Sequence, residues 1–537
     1  MAAAACKRRR TRQIFRIERS VHTSRRNFLI STAAAAVPAA AKALPLGSHA
    51  AALLAQSSFA TSFPSVVSTP SGKLRGTLQD GVRVFRGVPY AAPPVGPLRF
   101  RPTSPVVPWP GIRDANSAAP TALQTHPQGP TSEDCLYLNL WTPEGPGPFP
   151  VLVWIHGGGF TAGSASDPMA DGARFARDGI VCITVAYRLG VFGFLDVEPL
   201  LGPSYAGSAN NALHDLITAL RWTQTHVASF GGDPARVTVG GQSAGAKLTD
   251  ILLGVPAAQL LFQSAISESG GAERVWSTQQ ARTVGEGFSK QWRGQSGNTV
   301  DALRAAPADL LQAQERFMAI WPRHFPLRPQ IDGDLLTRLP LENVATGSTR
   351  GRRLLIGTNL DESAFFLGPT PGAQPTRSDL GNLSLEAFDP ILARYAAIYP
   401  KLSVSDRCIR AVTAEEYWIP SLRVAEAAAG AGCATWMYRF DYSENAGRLR
   451  GYAFHSLELR FVWQAPGHSK GAAEAALATQ MHTAWVTFIK GDAPAATGLP
   501  SWPRYDAQAR STLILDRESR VEQQPHAGEM LLWSGSL

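Results

Sequence analysis

The chain has 537 residues, 44% hydrophobic and 17% charged, and a formal charge of +9. Ten of its 51 Lys and Arg but one of its 42 Asp and Glu fall in residues 1–60, so the rest is balanced at 41 of each. A neutral body has no general field for polyanions, which argues against a nucleic-acid partner, and the length and apolar content suit one large α/β unit. The five cysteines, Cys6, Cys135, Cys182, Cys408 and Cys433, are too sparse and odd in number for a disulfide framework. A Cys408–Cys433 pair stays open. No Cys-x-x-Cys or His-x-x-x-His cluster marks a metal site.

Residues 1–60 are read as an export segment. Ser24-Arg25-Arg26-Asn27-Phe28-Leu29-Ile30 is a twin-arginine pattern, followed by an alanine-rich apolar stretch and small-residue ends at Leu53-Leu54-Ala55 and Ser58-Phe59-Ala60. The stretch from Asn27 to Ala41 is too short for a membrane span, so no stable insertion is expected. This predicts a bacterial protein exported in folded form to the periplasm or beyond, with residues 61–537 as the working domain.

Ser65 to Val84 reads as a small antiparallel edge. Phe85 to Phe100 carries four prolines and is expected to be an ordered loop. Ser132–Trp141 reads as a strand. Val151–Ile155 is a continuous apolar run, as in a strand buried on both faces, and it feeds directly into His156-Gly157-Gly158-Gly159-Phe160. Successive glycines let backbone N–H groups face a cavity without obstruction. Ile180–Ala186 is the next buried strand, and Asn210–Ala228 has helical spacing.

Arg236–Gln242, Ser243 and Ala244-Gly245-Ala246 then give a β-branched run, a serine between small residues and a helix-compatible run to Leu253. That is the pattern of a nucleophile elbow, with Gly241 and Gly245 needed where strand and helix crowd a strained serine. A Gly-x-Ser-x-Gly alone would equally fit an ordinary turn. Ser264–Ser269 returns as a strand. Trp276–Leu339 is more polar and helical and is predicted to cap the site. Arg352–Ile356, Thr435–Tyr442 and Thr512–Asp516 complete the strands, with helices at Leu385–Ile398 and Ala472–Ile489. Alternation of this kind predicts a mostly parallel central sheet with helices on both faces.

Several motifs now stand in one order: Phe-Arg-Gly-Val-Pro-Tyr-Ala (85–91), Glu-Asp-Cys-Leu-Tyr-Leu-Asn (133–139), His-Gly-Gly-Gly-Phe (156–160), Phe-Gly-Gly-Asp-Pro (230–234), Gly-Gln-Ser-Ala-Gly (241–245), Gly-Thr-Asn-Leu-Asp-Glu (357–362) and Phe-His-Ser-Leu-Glu-Leu (454–459). From about Ser65 to Asp516 the chain resembles the type-B carboxylesterases, the carboxylesterase/cholinesterase branch of the α/β-hydrolase fold. The resemblance implies a serine carboxylesterase working through an acyl-enzyme. It implies Ser243 as nucleophile, Glu362 as acid and His455 as base, with Gly158, Gly159 and Ala244 N–H groups as the oxyanion hole and no cofactor. Asp361 is the competing acid. Arg188–Asp215 and Arg99–Glu133 look like the family's structural ion pairs. His156, His214, His226, His482 and Glu458 are read as packing or structural groups, and His468 carries no signal of its own.

The sequence also departs from the family. Gln242 stands where the family usually has glutamate before the serine, and Ala119–Gln124 lacks both the usual partner of Cys135 and a tryptophan to stack on a quaternary ammonium. Uncharged or weakly charged small-molecule esters are therefore expected. Lipase-like, aryl or feruloyl esterase and carbamate or lactone hydrolysis remain alternatives. A catalytically silent binding or adhesion protein is the reading from another class; an intact serine and histidine argue against it.

Overall fold

Runs of β-branched and aliphatic residues bounded by glycine and proline become the strands of this protein. The computed structural model describes residues 65–296, 302, 304–322, 325–368, 374–464 and 471–536. The twin-arginine segment and His468 lie outside the described residues.

Among the described residues eleven strands form one sheet: β1 (Thr77–Gln79), β2 (Val82–Pro89), β3 (Tyr137–Pro143), β4 (Phe149–Ile155), β5 (Val181–Val185), β6 (Gly232–Gln242), β7 (Ser264–Glu268), β8 (Arg353–Asn359), β9 (Ala434–Phe440), β10 (Thr512–Leu515) and β11 (Arg520–Glu522). Their spatial order is β11-β10-β9-β8-β7-β6-β4-β5-β3-β2-β1. The run from β10 to β5 is parallel throughout, and antiparallel strands close both ends. The mostly parallel sheet expected from the alternation is therefore present.

The pleat divides the core in two. Val151, Val153 and Ile155 of β4 face one apolar cluster, together with Leu213, Leu216 and Leu220 of helix α1 (Asn211–His226) and Leu248 and Ile251 of helix α2 (Ala244–Leu253). Leu152 and Trp154 face the other, against Leu477, Met481 and Trp485 of a helix at Ala472–Lys490. Each such aliphatic side chain contributes about 1.5–3 kcal/mol on burial. The strand is apolar at every position because both faces are covered.

Two expectations are corrected. Phe85–Pro89 is strand, not loop: it forms the second half of β2, buried next to β3. The register shifts between Phe85 and Val88, where Gly87 takes a φ of 66°. A glycine bulge absorbs the irregularity and Pro89 ends the strand, so the prolines that break structure come only afterwards. The strand expected over Ser132–Trp141 begins only at Tyr137. The open disulfide question is answered: Cys408 and Cys433 are both free and buried, as are Cys135 and Cys182.

The stretch predicted as a cap holds helices α3 (Thr278–Ser296) and α4 (Pro307–Ile320). Further along come α5 (Leu385–Ile398), α6 (Val404–Thr413) and α7 (Ile419–Gly430). Among the described residues no helix is long and apolar enough to cross a membrane.

Candidate active site

Strand β6 ends at Gln242 and helix α2 begins at Ala244, so one residue must make the turn. Ser243 makes it with φ 58° and ψ −122°, a conformation costly for any non-glycine residue. Its surroundings hold it there: Ser243 N–H donates to the Glu268 carbonyl at 2.8 Å, and its own carbonyl accepts from Lys247 N–H at 2.9 Å. A Cβ on Gly241 would lie 2.5 Å from the Gly245 carbonyl carbon, and one on Gly245 would collide with the Ile155 carbonyl. Both glycines are thus required by close approach of strand and helix.

Facing the elbow is the end of β4. Gly158 and Gly159 follow it with φ values of 115° and 61°. Among the described residues no acceptor meets the N–H of Gly158, Gly159 or Ala244. Ala244 is the first residue of α2, where a helix leaves its N–H groups unpaired and positive. His156 stays outside this chemistry. It stacks on Tyr187 at 4.5 Å, bonds through Nδ1 to the Gly157 carbonyl at 2.9 Å, and is pushed down to about 4 by burial.

Glu362 follows β8 and His455 lies in the segment after β9. His455 Nδ1 donates to Glu362 Oε2 at 2.6 Å, with the carboxylate fully buried. The other oxygen, Oε1, accepts from Asn359 N–H at 2.7 Å and from the Ser269 hydroxyl. With Nδ1 protonated toward Glu362, the neutral imidazole presents Nε2 as an acceptor. Gln242 Nε2 lies 3.4 Å from it. Asp361, the competing acid, faces Arg410 at 2.8 Å and the Ala453 N–H, and does not reach His455.

Ser243, His455, Gly158 and Gly159 share the wall of one cavity of about 350 Å³. The rest of that wall is Thr161, Gln242, Met318, Phe325, Phe365, Phe366 and Ser456. Among the described residues no carboxylate, lysine or arginine side chain lines it. Met318 and Phe325 come from the capping stretch. Ser243 and His455 are not hydrogen-bonded to each other, a looseness common before a substrate is seated. The structure therefore brings together five of the six residues singled out in the sequence, with Ala244 directly behind Ser243.

The remaining assignments also find their places. Arg188 pairs with Asp215 at 2.7 Å and Arg99 with Glu133 at 2.6 Å, both away from the cavity. His226 bonds Ser71 at 2.8 Å, and His482 bonds Asp178 at 2.8 Å and the Val462 carbonyl at 2.6 Å. His214 is partly buried on α1 and lines no part of the cavity. Glu458 is buried on the Asn359 amide. Sequence reading missed Ser269, Phe365, Phe366 and Tyr417, the last a buried ring 4.9 Å from the His455 imidazole. Ser269 carries no motif of its own; Phe365 and Phe366 follow Glu362 closely enough that their place at its side could have been inferred.

The chain is similar to known proteins along most of its length. Residues 64–533 match the model of the "Carboxylesterase family". The para-nitrobenzyl esterase of Bacillus subtilis (strain 168) is 36% identical over 483 residues, covering 86% of this chain and 97% of that protein. The fumonisin B1 esterase of Sphingopyxis macrogoltabida is 34% identical, covering 82% of this chain and 84% of that protein. A solved PNB esterase structure superposes with a TM-score of 0.78 at 33% identity, covering 87% of this chain and 99% of that one. The elbow, the parallel sheet and the matched relatives lead to one conclusion: the chain belongs to the carboxylesterase family, on the α/β-hydrolase fold, and is a carboxylic ester hydrolase.

Proposed function

We propose that the hydrolysis proceeds through an acyl-enzyme on Ser243, with His455 as general base and acid and Glu362 as its orienting carboxylate. One observation carries this reading: the Glu362–His455 hydrogen bond of 2.6 Å directs Nε2 toward the cavity that holds the Ser243 hydroxyl. Ser243 Oγ bonds to the ester carbonyl carbon while its proton passes to His455 Nε2. The carbonyl oxygen gains charge beside the N–H groups of Gly158, Gly159 and Ala244, each such donor being worth about 3 kcal/mol of barrier. The tetrahedral intermediate collapses, the alcohol leaves with the His455 proton, and water repeats the sequence to release the acid.

The substrates are small, uncharged esters with apolar or aromatic parts. Met318, Phe325, Phe365 and Phe366 supply the wall, and a neutral amide, Gln242, stands where a carboxylate would pair with a cation. The aromatic alcohol in the name para-nitrobenzyl esterase fits such a wall. The experiment is turnover of p-nitrophenyl acetate by wild type and Ser243→Ala. Loss of several powers of ten in kcat is expected; equal rates would remove Ser243 from the mechanism.

The enzyme is exported by the twin-arginine route, as Arg25 and Arg26 before an apolar stretch support. Changing both to lysine should leave the activity in the cytoplasm; undiminished periplasmic activity would refute export by this route.

A further inference from the structure

His455 is followed by a residue that the chemistry above does not use. Phe454 to Leu457 form a turn, closed by the Leu457 N–H on the Phe454 carbonyl at 3.2 Å. His455 and Ser456 are its two central residues, and Ser456 has a φ of 67°. A positive φ at the second central residue favours glycine, yet a serine holds the place. The turn is tied down around it. The His455 N–H bonds the Glu362 carbonyl at 3.3 Å, His455 Nδ1 bonds the Glu362 carboxylate, and Leu457 is buried. Strain retained beside the base points to a use for the side chain. Ser456 lines the cavity that holds Ser243, and among the described residues no group hydrogen-bonds to its hydroxyl.

We propose that Ser456 is a positioning residue for deacylation, whose hydroxyl oxygen accepts the second O–H of the attacking water. The inference rests on the acyl-enzyme reading of Ser243. Alcohol and water differ at this point of the reaction. The departing alcohol oxygen carries a carbon where the incoming water carries a second proton. In deacylation the water oxygen bonds to the acyl carbon, and one water proton passes to His455 Nε2. The bond from that carbon to Ser243 Oγ then breaks, and Oγ takes the proton back. The other water proton is not transferred and leaves on the released acid. In a wall made largely of methionine and phenylalanine that O–H needs an acceptor, and the acceptor fixes how the water meets the carbon.

The other side-chain acceptors of the wall are placed less well. Gln242 Nε2 faces His455 Nε2 at 3.4 Å. Its Oε1 turns toward Gly157, where a Cβ would lie 3.0 Å from it. Thr161 belongs to the glycine loop, its N–H on the Gly158 carbonyl at 3.1 Å, and that side receives the ester carbonyl oxygen. Phe365 and Phe366, with ring centroids 6.4 and 5.3 Å from the imidazole, offer a water no acceptor of this kind. Ser456 is joined to the residue that must receive the water's first proton. One tied-down turn therefore carries both partners of the water.

The test is carbamoylation by p-nitrophenyl dimethylcarbamate. Loss of activity follows formation of the carbamoyl-enzyme, and recovery after excess reagent is removed follows its hydrolysis, so the two steps are read apart. Wild type, Ser456→Ala and Ser456→Gly are compared, with thermal unfolding of each. Ser456→Gly removes the same hydroxyl and relaxes the backbone, so it carries the test if Ser456→Ala fails to fold. The expected result is recovery about fivefold slower in both variants, with carbamoylation slowed much less. A folded variant that recovers at the wild-type rate would overturn the proposal, as would an equal slowing of both steps. Mass spectrometry of the carbamoylated protein separates the two readings. If the adduct is on Ser243 while the variants recover normally, only the role of Ser456 fails; if the adduct is on another residue, the acyl-enzyme assignment fails.

Discussion

The imidazole of His455 has a hydrogen bond at each nitrogen, and the two differ in kind. Nδ1 gives its proton to a buried carboxylate at 2.6 Å, whereas Nε2 faces the neutral amide of Gln242 at 3.4 Å. The first is short and charge-assisted, so it fixes the tautomer; the second is long and can yield to a serine proton. Gln242→Glu would set a second carboxylate beside the ring. An anion there stabilises the imidazolium that forms in the reaction, so the acid limb of kcat/KM should move to higher pH. Cationic esters should gain relative to neutral ones. A midpoint that stays or falls would show that residue 242 does not sense the imidazole. Gln242 and Asp361 also show what single residues disclosed in the sequence. The motif order pointed to Glu362, but two adjacent carboxylates look alike in one dimension. Their separation rests on where each faces, and Arg410, 49 positions downstream, holds Asp361 away.

At the scale of the element, the strand–serine–helix unit was legible because its constraints are local. Gly241 and Gly245 must be small for the β6–α2 crossing, and the sequence records that directly. The half-bulged strand β2 was not legible, since proline density outweighed a β-branched run and Gly87 alone marks the bulge. Buried acids on and beside this unit are equally invisible in sequence. Burial raises Asp250 on α2 from 3.8 to about 7 and Glu268 at the end of β7 from 4.5 to about 8. A carboxyl raised in the folded state binds its proton more tightly there than in the unfolded chain. The stability it lends is complete below about 4 and is lost as pH rises through about 7 to 8. Lys247, lowered from 10.5 to about 7, acts in the opposite sense only above that pH. Thermal unfolding should therefore show Tm falling between about pH 5 and 7, with a shallower fall in Asp250→Asn. A variant with the wild-type slope would contradict the assignment of Asp250.

Over the whole molecule, three loops converge that are far apart in the chain. The elbow, the loop after β8 and the segment after β9 all lie at one end of neighbouring strands β6 to β9, which is where an open α/β sheet gathers its ligands. The sheet order makes this convergence possible, and it could be read in outline from alternating strands and helices. The cap was legible as a helical stretch, but its contribution of Met318 and Phe325 to the cavity wall depends on packing between distant segments. The same applies to Ser269 and Tyr417, which act on Glu362 and His455 from elements with no motif. The most direct test of the convergence is labelling with a fluorophosphonate ester, followed by mass spectrometry of the digested protein. The account predicts one adduct, on Ser243, formed far more slowly in His455→Ala and absent in Ser243→Ala; an adduct on another residue, or labelling indifferent to His455, would contradict it.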